Sequence, residues 1–180
     1  MPGFIDPASE LRESFLAGVA EFRSDRDYPV PWFVKDVDPQ ALEDSRAFEA
    51  YVARVLGERT QDGVRSGFVP MTTLWWADGD QFLGRLAIRH QLTPELMELG
   101  GHIGYDVRPS ARRRGHATAM LAAALPIALK LGISQALVMC DLTNAASRRV
   151  IETNGGQLLD VTARKRRYWV PTAEGSTGSD

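Results

Sequence analysis

An α/β fold in a single domain is the architecture this sequence predicts, and three observations predict it. Apolar residues recur at helical spacing through the first third of the chain, and from Val69 the period changes to that of strands. From Gly115 onward, a helical run and strand-length apolar runs take turns. The length of 180 residues, with 44% hydrophobic and 24% charged, suits one compact core. The domain is expected over residues 1–170, with a helical N-terminal region at 1–65, a sheet-bearing region at 66–170 and a small-residue polar tail, expected to be disordered, at 171–180.

The elements follow in order. Asp6-Pro7 reads as an N-cap with proline at the first helical position, and Leu11, Phe15, Val19 and Phe22 then mark one face of a helix. Asp38-Pro39 repeats the signal ahead of Leu42, Phe48, Val52 and Val55, with Gly57 as the stop. Between them, Tyr28-Pro-Val-Pro-Trp-Phe-Val34 reads as an extended segment that must bury its rings or line a pocket. Met71 to Trp76, a turn at Asp78-Gly79, and Gln81 to His90 form a hairpin, with Phe82, Leu86, Ile88 and His90 sharing one parity. Thr93 to Leu99 is a helical turn, and His102 to Val107 is a strand that Pro109 stops. Gly115 to Leu131 is a helix so apolar that it must be covered on more than one side, and Pro126 should kink it. Ala136 to Cys140 is a strand, Asn144 starts a short helix that Gly155-Gly156 ends, and Gln157–Val161 with Arg166–Val170 close the sheet.

Composition excludes several classes. The longest run without a polar or charged residue, Ala119–Leu129, falls well short of the roughly 20 residues that span a bilayer. The first residues show neither a basic nor an apolar targeting segment, so a cytoplasmic location is the expectation. One cysteine, Cys140, leaves no intrachain disulfide and no multi-cysteine zinc site, and His90, His102 and His116 lack metal-ligand spacing, so no metal is expected. Net charge is −2, but residues 1–100 carry 10 basic and 17 acidic side chains, whereas 101–180 carry 11 and 6. An anionic ligand therefore belongs on the second half, where Arg112, Arg113 and Arg114 are consecutive. With a pI near 5.9 and only two short basic runs, nucleic acid is a poor fit.

The chemistry concentrates in Gly104-Tyr-Asp-Val-Arg-Pro-Ser-Ala-Arg-Arg-Arg-Gly-His-Ala-Thr118: a strand, an arginine-rich loop with one glycine, then a helix. A helix N-terminus offers unpaired N–H groups and partial positive charge, and Gly115 lets an anion approach the main chain. There is no Gly-Lys-Ser/Thr ending and no G-x-G-x-x-G, which removes nucleoside triphosphate and dinucleotide loops.

On these residues the sequence resembles the GNAT superfamily of N-acetyltransferases, whose Gln/Arg-x-x-Gly-x-Gly/Ala signature is met by Arg112-x-x-Gly115-x-Ala117. The strand ending Tyr105-Asp-Val107, the strand Ala136–Cys140, and Asn144 with Ser147 ahead of Asn154-Gly-Gly156 fall where that family has them, so the resemblance covers about residues 70–170. The run from Ile88 to Pro109 also resembles a subgroup of predicted bacterial acetyltransferases of unassigned substrate.

The resemblance implies a mixed sheet flanked by helices, with two central strands splayed apart around acetyl-CoA, and no metal. It implies that the main chain of Tyr105, Asp106 and Val107 holds the acetyl and pantetheine arm. The loop Arg112, Arg113, Arg114, Gly115, His116, Ala117 and Thr118 would hold the pyrophosphate through its amides, with a bond from the Thr118 hydroxyl. Asn144 would bond the arm or a water, with Ser147 beside it. The partners implied are acetyl-CoA and a primary amine, attacked directly in a ternary complex, and homodimers are common in this superfamily. The alternative is an acyl-CoA-binding sensor without catalysis.

Two catalytic positions need separate argument. The place where much of the superfamily carries an acidic tyrosine is held by Ile151, so either no acid is needed or Tyr105, Cys140 or Tyr168 stands in. His102, with a pKa suited to a base, precedes Tyr105 on the strand expected to line the cleft, and a purely structural role beside Gly101 fits it equally. His90 reads as a core histidine, His116 as facing solvent or a phosphate, and Asp141 as a turn former or an orienter of amine or water. The acceptor pocket is expected beneath the N-terminal helices and Trp32-Phe33, with Trp75 and Trp76 as candidate walls. The acidic first half points weakly to a cationic acceptor such as a polyamine, an aminoglycoside-like amine or a basic peptide end.

Overall fold

In the computed structural model, which describes residues 1–173, seven strands form one mixed sheet in the order β1-β2-β3-β4-β5-β7-β6. The strands are β1 (Gly3–Ile5), β2 (Met71–Asp78), β3 (Gln81–Arg89), β4 (Ile103–Val107), β5 (Gln135–Asp141), β6 (Gln157–Val161) and β7 (Lys165–Pro171). The helices are α1 (Arg12–Ser24), α2 (Trp32–Lys35), α3 (Ser45–Gly57), α4 (Pro94–Leu99), α5 (His116–Lys130) and α6 (Ala145–Thr153).

The β2–β3 hairpin, the Thr93-capped α4, and α6 capped by Asn144 form where the sequence places them. The N-terminal helices begin later than their Asp-Pro signals. Residues 3–5 are drawn into the sheet as β1 against Trp75–Ala77, so Asp6-Pro7 is a link, Ser9–Leu11 is a 3-10 turn, and α1 starts at Arg12. Asp38 caps only a turn, its carboxylate accepting from the amides of Gln40 and Ala41, and Asp44 is the N-cap of α3. The segment expected to be extended through Val34 coils into α2 at Trp32, where Pro31 fits the turn before a helix and burying Phe33 and Val34 favours it. Pro126 sits inside one continuous α5.

Two apolar clusters pack against opposite faces of the sheet, and adjacent residues of β2 show the division. Trp76 joins an aliphatic cluster built on α5 with Leu86, Ile88, Ile103, Leu121 and Ile151. Trp75 joins an aromatic cluster built on α1 and α3 with Phe15, Phe22, Phe48 and Phe82. Phe82 departs from the parity expected of it. A bulge between Trp76 and Ala77 shifts the register so that Ala77 faces Phe82, which turns Phe82 to the face opposite Leu86. Trp75, Trp76 and Phe33 are therefore core residues, at 1%, 6% and 5% exposure, and not pocket walls.

The C-terminal end is more ordered than its composition suggested. β7 extends through Pro171, and the buried Thr172 hydroxyl donates to the carbonyl of Ile133 at 2.6 Å. The rest of the predicted tail, 174–180, lies outside the described residues. Among the described residues, no helix is long and apolar enough to cross a membrane, and no group of three or more His, Cys, Asp or Glu side chains could hold a metal ion.

Candidate active site

The parallel neighbours β4 and β5 pair through one register position, Ile103 opposite Val138. Beyond it they diverge: β5 remains paired with β7 along its length, while β4 is paired only with β3. The other edge of Gly104–Val107 thus faces an opening with no strand partner among the described residues. An exposed strand edge is an array of main-chain donors and acceptors awaiting an extended partner.

That opening is a cleft of about 670 Å³. Tyr105, Asp106 and Val107 line one side, Asn144 and Ser147 the other, and the roof is Tyr28 to Trp32. At one end lies the loop before α5. Arg113 has a φ of 61° and Gly115 a φ of 82°, so two left-handed residues bracket Arg114. Alternating handedness of this kind turns successive N–H groups toward one concavity, which suits an anion. The amides of His116, Ala117 and Thr118 follow at the start of a 15-residue helix whose dipole favours the same charge. A Cβ built at Gly115 would meet nothing within 4 Å, so the main chain here lies open to the cleft. This geometry fits a pyrophosphate, and the unpaired edge of β4 fits an extended amide-bearing arm.

The loop arginines differ in what they can do. Arg112 donates to Asp25 at 2.7 Å and to the carbonyl of Val107 at 3.2 Å, and its guanidinium lies 4.6 Å from the Tyr28 ring, so it ties the loop to the roof. Arg113 lines the cleft, whereas Arg114 is exposed outside it. His116 also lines the cleft, but it does not simply face solvent or phosphate: its Nδ1 accepts a bond from the indole N–H of Trp76 at 3.2 Å. Ala117 and Thr118 line the cleft too.

On the far wall, the Asn144 side chain accepts from the amide of Ser147 at 3.0 Å, capping α6, and the Ser147 hydroxyl lies 2.7 Å from the Tyr105 hydroxyl. Burial pushes the Tyr105 phenol well above its ordinary value, so it stays protonated. Of the three stand-ins for the residue missing at Ile151, only Tyr105 lines the cleft. Cys140 and Tyr168 are buried at 4% and 1% exposure, and the Tyr168 hydroxyl donates to Glu152 at 3.1 Å. Ile151 itself is fully buried in the aliphatic cluster. Asp141 lines the cleft and pairs with Lys165 at 2.7 Å.

His102 is not brought to this site. Its backbone amide donates to the carbonyl of Leu137 at 2.7 Å, and its Nδ1 accepts the Leu137 amide proton at 2.9 Å, so the imidazole replaces a strand partner where β4 and β5 meet. Gly101 makes this approach feasible, since a Cβ there would lie 2.5 Å from the Leu137 carbonyl oxygen. Burial, with Arg89 adding repulsion, holds the His102 pKa below its usual value. His90 lies just past the end of β3, half-buried and outside both core clusters, with its Nε2 2.8 Å from the Thr72 hydroxyl.

Sequence reasoning missed the charged residues under the N-terminal helices. Arg85, buried in the middle of β3, lies 3.8 Å from the Asp106 carboxylate and beneath the rings of Trp32 and Phe33, at 5.0 and 4.9 Å. Burial raises the Asp106 pKa, opposed by Arg85, Arg112 and Arg89. The available signal was a charged residue in the middle of a strand whose interior is otherwise apolar from Phe82 to Ile88.

A family model described as an acetyltransferase (GNAT) domain matches residues 9–157. No curated protein sequence matches the chain. Among solved structures, Mycobacterium smegmatis RimJ in complex with CoA-disulfide is similar with a TM-score of 0.68 at 15% identity, over 94% of this chain and 81% of that one. The microcin C7 self-immunity acetyltransferase MccE, in complex with acetyl-CoA and AMP, gives 0.63 at 11% identity, over 94% and 92%. YncA of Salmonella typhimurium, with its cofactor acetyl-CoA, gives 0.56 at 13% identity, over 98% and 95%. At these identities the likeness shows the fold.

Proposed function

This chain belongs to the acetyltransferase (GNAT) family, whose model spans more than half of it, and on that premise we propose that it transfers acetyl from acetyl-CoA to a primary amine by direct attack. The observation that carries the reading is the continuity of two main-chain features in one cleft: the unpaired edge of Gly104–Val107 and the open amides from Arg113 to Thr118. MccE and YncA, which share the fold, are described with acetyl-CoA, which supports the same ligand here.

When bound, acetyl-CoA supplies the activated acetyl group. The chain's own residues then have three tasks. The β4 edge fixes the arm, so that positioning provides much of the rate. The Asp106 carboxylate, raised in pKa by burial, takes the proton that the amine nitrogen loses as it bonds to the carbonyl carbon. The Tyr105 hydroxyl, held by Ser147, gives a proton to the sulfur as the carbon–sulfur bond breaks. The products are an amide and the free thiol of CoA.

Calorimetric titration with acetyl-CoA and with CoA tests the cofactor reading, using Gly115→Glu as the control. Saturable binding that the variant loses is expected. A folded chain that binds neither ligand would overturn the proposal. Binding without thiol release from any amine would favour a sensor.

A further inference from the structure

A second cavity, of about 320 Å³, opens under the N-terminal segment, and Trp32 lines both it and the cofactor cleft. The two spaces therefore share a wall residue. Met71 and Arg89, register partners on β2 and β3, contribute to its wall, Phe68 stands at its mouth with 56% exposure, and Leu96 closes one side.

Its charges are unequal in their compensation. Glu58 pairs with Arg54 at 2.6 Å and Arg65 with Asp36 at 3.3 Å, so these are neutralised within the protein. Glu95 is exposed, where water screens it. Arg89 has no carboxylate within ion-pairing distance among the described residues. Its Nη1 donates to the carbonyls of Gly100 and Gly101, at 3.2 and 3.1 Å, which carry no formal charge. Arg85, four residues earlier on the same side of β3, takes the neighbouring carboxylate, Asp106, at 3.8 Å. Burial, with Arg85 adding repulsion, brings Arg89 down to about 10, which leaves it charged at neutral pH. An uncompensated cation in a part-buried wall is costly unless a ligand completes it.

We propose that this cavity is the acceptor site and that the acceptor is a small amine that also carries a carboxylate and an apolar side chain. The carboxylate lies on Arg89, the side chain against Phe68, Met71 and Leu96, and the amine faces the cofactor cleft past Trp32. This proposal departs from the cationic acceptor suggested by the acidic first half, because those acidic side chains are largely paired or exposed while the unpaired charge in the cavity wall is positive. The inference rests on the acetyl-transfer reading.

The test compares L-methionine and L-phenylalanine with their carboxamides and with spermidine, by thiol release at saturating acetyl-CoA. The free acids should exceed the carboxamides at least tenfold in kcat/KM, and 3-phenylpropanoate should compete with L-phenylalanine. Arg89→Gln should raise KM for the acids at least tenfold and bring the acid-to-carboxamide ratio near one, with the acetyl-CoA Kd unmoved and Arg89→Lys restoring part of the preference. Equal use of acid and carboxamide, a preference for spermidine, no turnover of either acid, or an unaltered ratio in Arg89→Gln would overturn it. Should that variant fail to fold, the ratio and the inhibition measured on the unaltered chain decide. Failure of the cofactor reading shows separately, as absence of acetyl-CoA binding by the unaltered chain.

Discussion

The two faces of the sheet solve recognition differently. On the α5 face the cleft is built from main chain: a strand edge, two left-handed residues and the first amides of a helix, backed by an aliphatic cluster. On the face under α1 and α3, the proposed acceptor site depends on side chains from distant segments, with Arg85 against the Trp32 and Phe33 rings and facing Asp106, and Arg89 held only by the carbonyls of Gly100 and Gly101. A backbone site needs few specific side chains and fits a ligand with an invariant pyrophosphate. A side-chain site can be changed one residue at a time, which suits an acceptor whose identity differs between relatives.

The largest expected effect breaks the aromatic side. Phe15 is fully buried and stacked on Trp75 with ring centroids 4.8 Å apart, so Phe15→Ala should cost about 3–5 kcal/mol, measured by urea unfolding. A loss under about 1 kcal/mol would show that this cluster does not anchor the N-terminal helices. Next, Gly115→Glu combines a left-handed φ of 82° with a carboxylate directed at bound phosphate, and calorimetry should find acetyl-CoA affinity reduced about a hundredfold or more. Retained affinity would remove the loop from the cofactor site.

Smaller effects sharpen the contrast. If, as proposed, the hydroxyl serves the departing sulfur and the backbone holds the ligand, Tyr105→Phe should slow kcat about tenfold while the acetyl-CoA Kd stays within about twofold. An unchanged kcat would leave sulfur protonation to water. His102 gives the smallest and most pH-dependent effect. Its folded pKa lies below the unfolded value of about 6.5, so its stabilisation is complete above that pH and is lost as pH falls through it toward the folded value. His90, lowered by burial and by Arg59, acts in the same direction. Glutamine at position 102 keeps an acceptor for the Leu137 amide, so His102→Gln should lessen the loss of stability between about pH 7.5 and 5.5, measured by urea unfolding at the two pH values. An identical acid slope in that variant would place the titration elsewhere.

The contrast also explains what could be read in advance. The anion loop is contiguous, and its geometry is set by local rules: a strand that ends at Pro109, a glycine free to take positive φ, and a helix with its own dipole. Asn144 and Ser147 were legible for the same reason, since an N-cap and its partner lie three residues apart. His102 misled because alternation gives the parity of a side chain but not which neighbouring strand approaches it. Arg85 and Arg89 could be seen as charges in a strand, but their surplus depends on the carbonyls of Gly100 and Gly101 and on Asp106, brought beside them only by the β3–β4 pairing.

The sequence by itself thus determined the helices and strands of the core, the mixed α/β character and the strand–loop–helix turn at Gly115, because each follows from residues close together in the chain. The start of α1, the bulge that reverses Phe82, the one-position pairing of β4 with β5 and the uncompensated Arg89 were decided only by tertiary structure. Each of these balances groups that meet through folding, and such a balance leaves no local pattern in the chain.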